Sequence, residues 1–180
     1  VRFFAAWLVA FLFFLTIALG CLFFLLIHTA MQGSWGIVVR RVAENAAATL
    51  PLFALLFLPV AFGLHSLYHW SHPEAMAHDA LLRFKQPYLN EPFFFARAAL
   101  YFAVWSGIAL WFRHQSRLQD EAKNPAAAAR LVRYSGALLI PLSLTTTFAA
   151  FDWVMGLAPH WYSTIFGVYV LALRSHWYPR

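Results

Sequence analysis

The chain has 180 residues, of which 62% are hydrophobic and only 11% charged, with 19 Phe and 8 Trp. A soluble domain carries about a quarter charged residues, so this balance excludes an ordinary water-exposed globule. The formal charge of +6 does not point to nucleic acid, because in a membrane protein such charge marks the cytoplasmic face.

The charges are segregated along the chain. Phe3–Ile27 carries none, and Ala46–Leu64 and Tyr134–Phe151 are equally bare. A hydrocarbon core about 30 Å thick takes roughly 20 apolar residues of helix, so each run supports a membrane crossing. The first predicted helix covers Phe3–Ala30. It is longer than a signal-peptide core and ends in His28 without a small-residue cleavage site. Gln32-Gly33-Ser34-Trp35-Gly36 breaks it, and Ile37–Asn45 follows as a short interfacial stretch with Arg40, Arg41 and Glu44. The second helix is expected over Ala46–Tyr68, with Pro51 in its opening turns and a kink at Pro59.

A polar connection, His69–Glu91, leads to the third helix, Pro92–Phe112, which contains Arg97. Residues 113–133 read as a charged loop. The fourth helix, Tyr134–Leu157, contains Pro141 and, near its far end, Asp152. The last apolar run, Trp161–Leu173, is too short to cross comfortably, and the chain opens on Val1. The whole reads as a single transmembrane domain over 1–180, an all-α polytopic bundle of four full spans plus a truncated fifth, from a longer chain.

Lys and Arg set the orientation. With the N-terminus outside, the cytoplasmic side holds Arg40, Arg41, Arg113, Arg117, Lys123, Arg130, Arg133, Arg174 and Arg180. The outer side holds Arg2, Arg83, Lys85 and Arg97. This imbalance makes 113–133 a cytoplasmic charged loop and 69–91 an outer polar loop.

Asp152 is the most informative single residue, since a carboxylate inside an apolar helix is costly unless paired or hydrated. Counting about 18 residues from the inner end, roughly 27 Å of rise, puts it in the outer part of the membrane. Arg97 lies at the same level and is the expected partner. Two readings follow: a structural pair tying helices together, or a proton acceptor beside a quinol or on a proton route. Thr145, seven residues earlier on the same face, could hold water toward Asp152 or back-bond to its own helix. Glu44, close to Arg40 and Arg41, reads as an interfacial ion pair rather than a proton inlet.

The histidines cluster at the ends of the spans. His65, His69 and His72 would share one face if the second helix continued past Tyr68, a weak metal-site spacing that Pro73 opposes. His160 falls on the outer side, and His28 and His114 on the inner. None is mid-membrane, which argues against a haem pair held between helices. Cys21 is the only cysteine, so the chain has no thioether haem site and no iron–sulfur ligand set.

Several blocks of sequence resemble a known family. They are His65-Ser-Leu-Tyr-His-Trp-Ser-His-Pro-Glu74, Lys85-Gln-Pro-Tyr-Leu-Asn90, Pro92-Phe-Phe-Phe-Ala-Arg97, Phe151-Asp-Trp-Val-Met155 and Pro159-His-Trp-Tyr-Ser-Thr-Ile-Phe-Gly167. The chain is similar over nearly its whole length, to about Leu171, to the second large NrfD-like (ActF-type) membrane subunit of bacterial alternative complex III. The resemblance implies a multi-pass subunit of a quinol:cytochrome c oxidoreductase in the bacterial inner membrane. It implies partner subunits carrying haem c and iron–sulfur clusters, an NrfD-like sister subunit, and contact with membrane lipid. Quinone or menaquinone would be the ligand. Asp152, His160, His65, Arg97 and Thr145 are then the candidates for quinol contact or proton conduction. A membrane anchor for peripheral redox subunits stands beside that reading. So does a secondary transporter, since Pro51, Pro59 and Pro141 could break helices around an ion site at Asp152.

Overall fold

The computed structural model describes residues 2–33, 36–71, 86–121 and 125–157. Within them every regular element is helical. Helix α1 (Arg2–Ala30) is a 29-residue apolar helix. It ends in a Schellman-type cap, in which Gly33 N–H bonds the His28 carbonyl at 3.1 Å and Gln32 N–H bonds the Thr29 carbonyl at 3.1 Å. Gln32 takes the left-handed conformation this cap requires, with φ 51°.

The second crossing is not one helix with one kink. It runs as α2 (Ile37–Ala47), α3 (Leu50–Leu56), α4 (Leu58–Phe62) and α5 (Leu64–Leu67). Two of its breaks precede Pro51 and Pro59, which cannot donate to the carbonyls four residues back. Gly63 makes the third. Ala48, Thr49 and Phe57 keep right-handed backbone angles, so the axis continues as a bent rod. The stretch expected to lie in the interface, Ile37–Asn45, is the first part of this rod. The Trp7 indole of α1 donates to the Leu56 carbonyl at 3.1 Å, pinning one bend to its neighbour.

The 3₁₀ turn His69–Ser71 follows. Helix α6 (Glu91–Glu121) is longer at its C-terminal end, and α7 (Pro125–Trp153) at its N-terminal end, than the hydropathy suggests. Most of the stretch read as a charged loop, 113–133, is therefore helical. Its Arg, Gln and Ala residues are good helix formers, and Pro125 suits a first helical position, where no N–H is needed. At the other end α7 stops at Trp153, before a 3₁₀ turn over Met155–Leu157. Among the described residues four segments are long and apolar enough to cross a membrane: Arg2–Ala30, Val39–Phe62, Glu91–Asp120 and Pro125–Leu157. The apolar run Trp161–Leu173 lies outside the described residues.

Helix α7 packs on both α6 and α1, and α3 wedges between α1 and α6. Trp153 is the hub. It is 1% exposed, and its ring meets Phe57 at 4.9 Å, Phe102 at 5.6 Å, Trp105 at 5.8 Å, Phe11 at 5.9 Å and Tyr101 at 6.0 Å. Each of the other three crossings supplies at least one of these rings. The outward surface is also apolar, with Phe13, Phe14, Leu55, Phe62, Leu100 and Ile140 exposed. Such a surface suits lipid and would be a liability in water.

Truncating Trp153 should cost the bundle about 3–5 kcal/mol, the range for losing a large buried aromatic. Thermal unfolding of the Trp153→Ala variant in detergent checks this, with a clearly lowered midpoint as the expected outcome.

Candidate functional site

The end of the bundle that holds Asp152 is organised by where helix ends fall. Asn90 caps α6, its Oδ1 accepting the Phe93 N–H at 2.9 Å, which satisfies one of the orphan donors of the first turn. Arg97 follows two turns into α6, and Asp152 occupies the last turn of α7. Both are buried, Arg97 at 8% exposure and Asp152 at 3%.

They form a two-pronged pair. Arg97 Nε donates to Asp152 Oδ2 at 2.8 Å, and Nη2 donates to Oδ1 at 3.0 Å. Two phenols complete the carboxylate: Tyr88 OH donates to Oδ1 at 2.9 Å and Tyr101 OH to Oδ2 at 2.7 Å. Each oxygen thus receives two donors, which fills the roughly four lone-pair sites a carboxylate offers. A proton arriving at either oxygen would have to displace one of these donors. The guanidinium makes a third hydrogen bond and two ring contacts. Nη1 donates to the Tyr88 carbonyl at 3.0 Å, and the cation lies 3.9 Å from the Tyr88 ring centre and 4.4 Å from that of Phe93.

A second phenol layer sits beside this node. Tyr68 OH donates to the Trp153 carbonyl at 3.0 Å, capping an orphan acceptor at the end of α7. Burial, with the Asp152 charge adding to it, pushes the Tyr68 phenol above its ordinary range. Ser71 Oγ donates to the Tyr68 carbonyl at 2.7 Å, leaving Oγ to accept from His65 Nδ1 at 3.2 Å. The other nitrogen of His65 lies 3.7 Å from Glu91.

The sequence candidates divide accordingly. Arg97 and Asp152 meet directly. Thr145 is one step away: its hydroxyl donates to the Pro141 carbonyl at 2.6 Å and accepts the Trp105 indole N–H at 2.9 Å. The Trp105 ring in turn stacks on Tyr101 at 6.1 Å. That is the back-bonded state, with both roles of the hydroxyl occupied. His65 reaches Ser71 and the first residue of α6 rather than Asp152 itself. The helical face proposed for His65, His69 and His72 does not continue, because Tyr68 is extended (φ −110°, ψ 113°). His72 and His160 lie outside the described residues.

The opposite end holds a second node. Glu44, 5% exposed, accepts from Arg40 Nε at 2.9 Å, Arg41 Nη1 at 2.9 Å and Ser116 Oγ at 2.7 Å. Arg40 reaches on to Ser116 and Gln119, and Arg41 pairs with Asp120. Glu44 is thus an ion pair, as its neighbours suggest, but a buried one joining α2 to α6. His28 is buried too, and its Nε2 accepts the Gly36 N–H at 3.2 Å. A Cβ on Gly36 would lie 2.6 Å from that nitrogen.

The phenols of Tyr88 and Tyr101 and the burial of Glu44 were missed by sequence reasoning. Tyr101 carried a signal, standing four residues after Arg97 on the same helical face. An apolar cleft of about 320 Å³ between α1 and α7 is bounded by Trp105, Thr146 and Trp153, and Asp152 does not line it. Among the described residues no group of three or more His, Cys, Asp or Glu could hold a metal. No protein-family model matches the chain, and no curated protein matches it in sequence.

Tyr88 gives the node a spectroscopic handle. Burial first, then the Asp152 charge and hydrogen bond, push its phenol from 10.0 up to about 12. The stabilisation linked to this shift is fully present below pH 10 and is lost as pH rises toward 12. Ultraviolet titration of phenolate should show a late-ionising tyrosine near pH 12 that Tyr88→Phe removes.

Proposed function

We propose that this chain is an NrfD-like membrane subunit of a quinol:cytochrome c oxidoreductase of the alternative complex III type, seated in the bacterial inner membrane. In that role it works beside a sister subunit and peripheral subunits that carry haem c and iron–sulfur clusters. The observation that carries the reading is a convergence. The sequence blocks behind the resemblance meet in space: Tyr88 from the second, Arg97 from the third and Asp152 from the fourth share one node, and Tyr68 from the first donates to the Trp153 carbonyl beside it.

Within such a complex the node acts first as a clamp. A fully coordinated carboxylate holds the outer ends of α6 and α7 and the segment before α6 in one geometry, a firm base for a docked redox subunit. A second reading, quinone or menaquinone contact at this chain, has its own support. The α1–α7 cleft is apolar and walled by Trp105 and Trp153, which touch the node through Tyr101. Proton conduction through Asp152 requires breaking a Tyr or Arg hydrogen bond at each transfer.

Asp152→Asn in the assembled complex separates these roles. The clamp reading expects less intact complex on a blue-native gel, with turnover per assembled complex unchanged. Normal assembly with turnover lowered on the order of a hundredfold, the effect of removing a general base, would overturn it in favour of proton transfer.

A further inference from the structure

The long helices α6 and α7 separate along part of their inner half. The seam between them is a groove of about 530 Å³ lined by Ala103, Val104, Gly107, Trp111, Tyr134 and Pro141, among others. Its floor is open at Gly107, where an added Cβ would meet nothing within 4 Å. Glycine in a helix interior is destabilising relative to Ala, and here no close helix contact within the bundle uses the missing side chain.

The two ends of the groove differ. Toward mid-membrane it closes at Pro141 and is apolar. At its inner end Trp111 and Tyr134 meet edge to face at 6.1 Å, as residues of an interfacial aromatic belt do. Just beyond them the chemistry turns cationic. The Arg133 guanidinium lies 5.8 Å from the Tyr134 ring. Arg130, one turn before Tyr134 on the same face of α7, is exposed, and its Nε reaches the Ala126 carbonyl of its own helix at 3.3 Å. On α6 the face of Trp111 continues to exposed His114.

We propose that this seam binds one anionic phospholipid, with an acyl chain in the groove and the phosphate on Arg130 and Arg133. The occupant follows from complementarity. A slot walled by aliphatic and aromatic side chains takes hydrocarbon, and exposed guanidinium forks beyond an aromatic belt take a phosphate bidentately. A neutral isoprenoid amphiphile would leave those cations unmatched.

The test is native mass spectrometry of the purified full-length chain in detergent, with phosphatidylglycerol or phosphatidylcholine added. One phosphatidylglycerol should be retained under conditions that strip phosphatidylcholine. Arg130→Gln and Arg133→Gln should each weaken retention about fivefold, the worth of one juxtamembrane cation. Gly107→Phe, which fills the groove from an exposed position, should abolish retention without lowering the thermal midpoint. Equal retention of the two lipids, retention of neither, or indifference to Gly107→Phe would overturn the proposal. So would cross-linking of Gly107→Cys to another polypeptide in native membranes, which would make the seam a protein interface.

Discussion

A charged carboxylate buried in an apolar helix bundle must be matched donor for donor, and at Asp152 that requirement organises one end of the molecule. Desolvating two ions costs several kcal/mol each, which only good geometry and further hydrogen bonds offset. Asp152 receives both: two prongs from Arg97 and two phenols, from Tyr88 and Tyr101. Meeting these demands fixes the register of α7 against α6 and draws the segment before α6 over the top. It also places Trp153, the next residue, at the centre of the aromatic core.

The node at the other end obeys the same rule with a different set of donors. Glu44 is matched by Arg40, Arg41 and Ser116. Ser116 stands 19 residues after Arg97 on α6, a rise of about 28 Å at 1.5 Å per residue. That matches a hydrocarbon thickness of about 30 Å. Helix α6 therefore carries one partner of each buried carboxylate near either face of the membrane, with an apolar stretch between. The broken second crossing fits between these anchors. Its proline bends need neighbours to steady them, as the Trp7 bond to Leu56 does.

Much of this was legible in the sequence, and the rest was hidden for identifiable reasons. Four charge-poor runs marked four crossings, because apolar length is the strongest signal a membrane imposes. The Asp152–Arg97 pair followed from depth alone. Helix lengths did not, since hydropathy ends where the lipid ends, while α6 and α7 continue into water on residues that favour helix. Tyr88 and Tyr101 were missed, because an interfacial phenol and a carboxylate donor look alike in one dimension. Glu44 carried no sign of burial, since that depends on Ser116 arriving from a distant helix. The shared face of His65, His69 and His72 assumed a helix that ends at Leu67.

The central claim is that Asp152 and Arg97 are a mutually dependent buried pair. A double-mutant cycle in unfolding free energy measures that dependence, using Asp152→Leu, Arg97→Met and the two together. Each single change strands a buried ion or its donors, and Asp152→Leu should cost about 3–5 kcal/mol by leaving Arg97 uncompensated. The double variant should recover a large part of that loss and be more stable than Asp152→Leu alone. Additive losses, with the double variant the least stable of the three, would contradict the account.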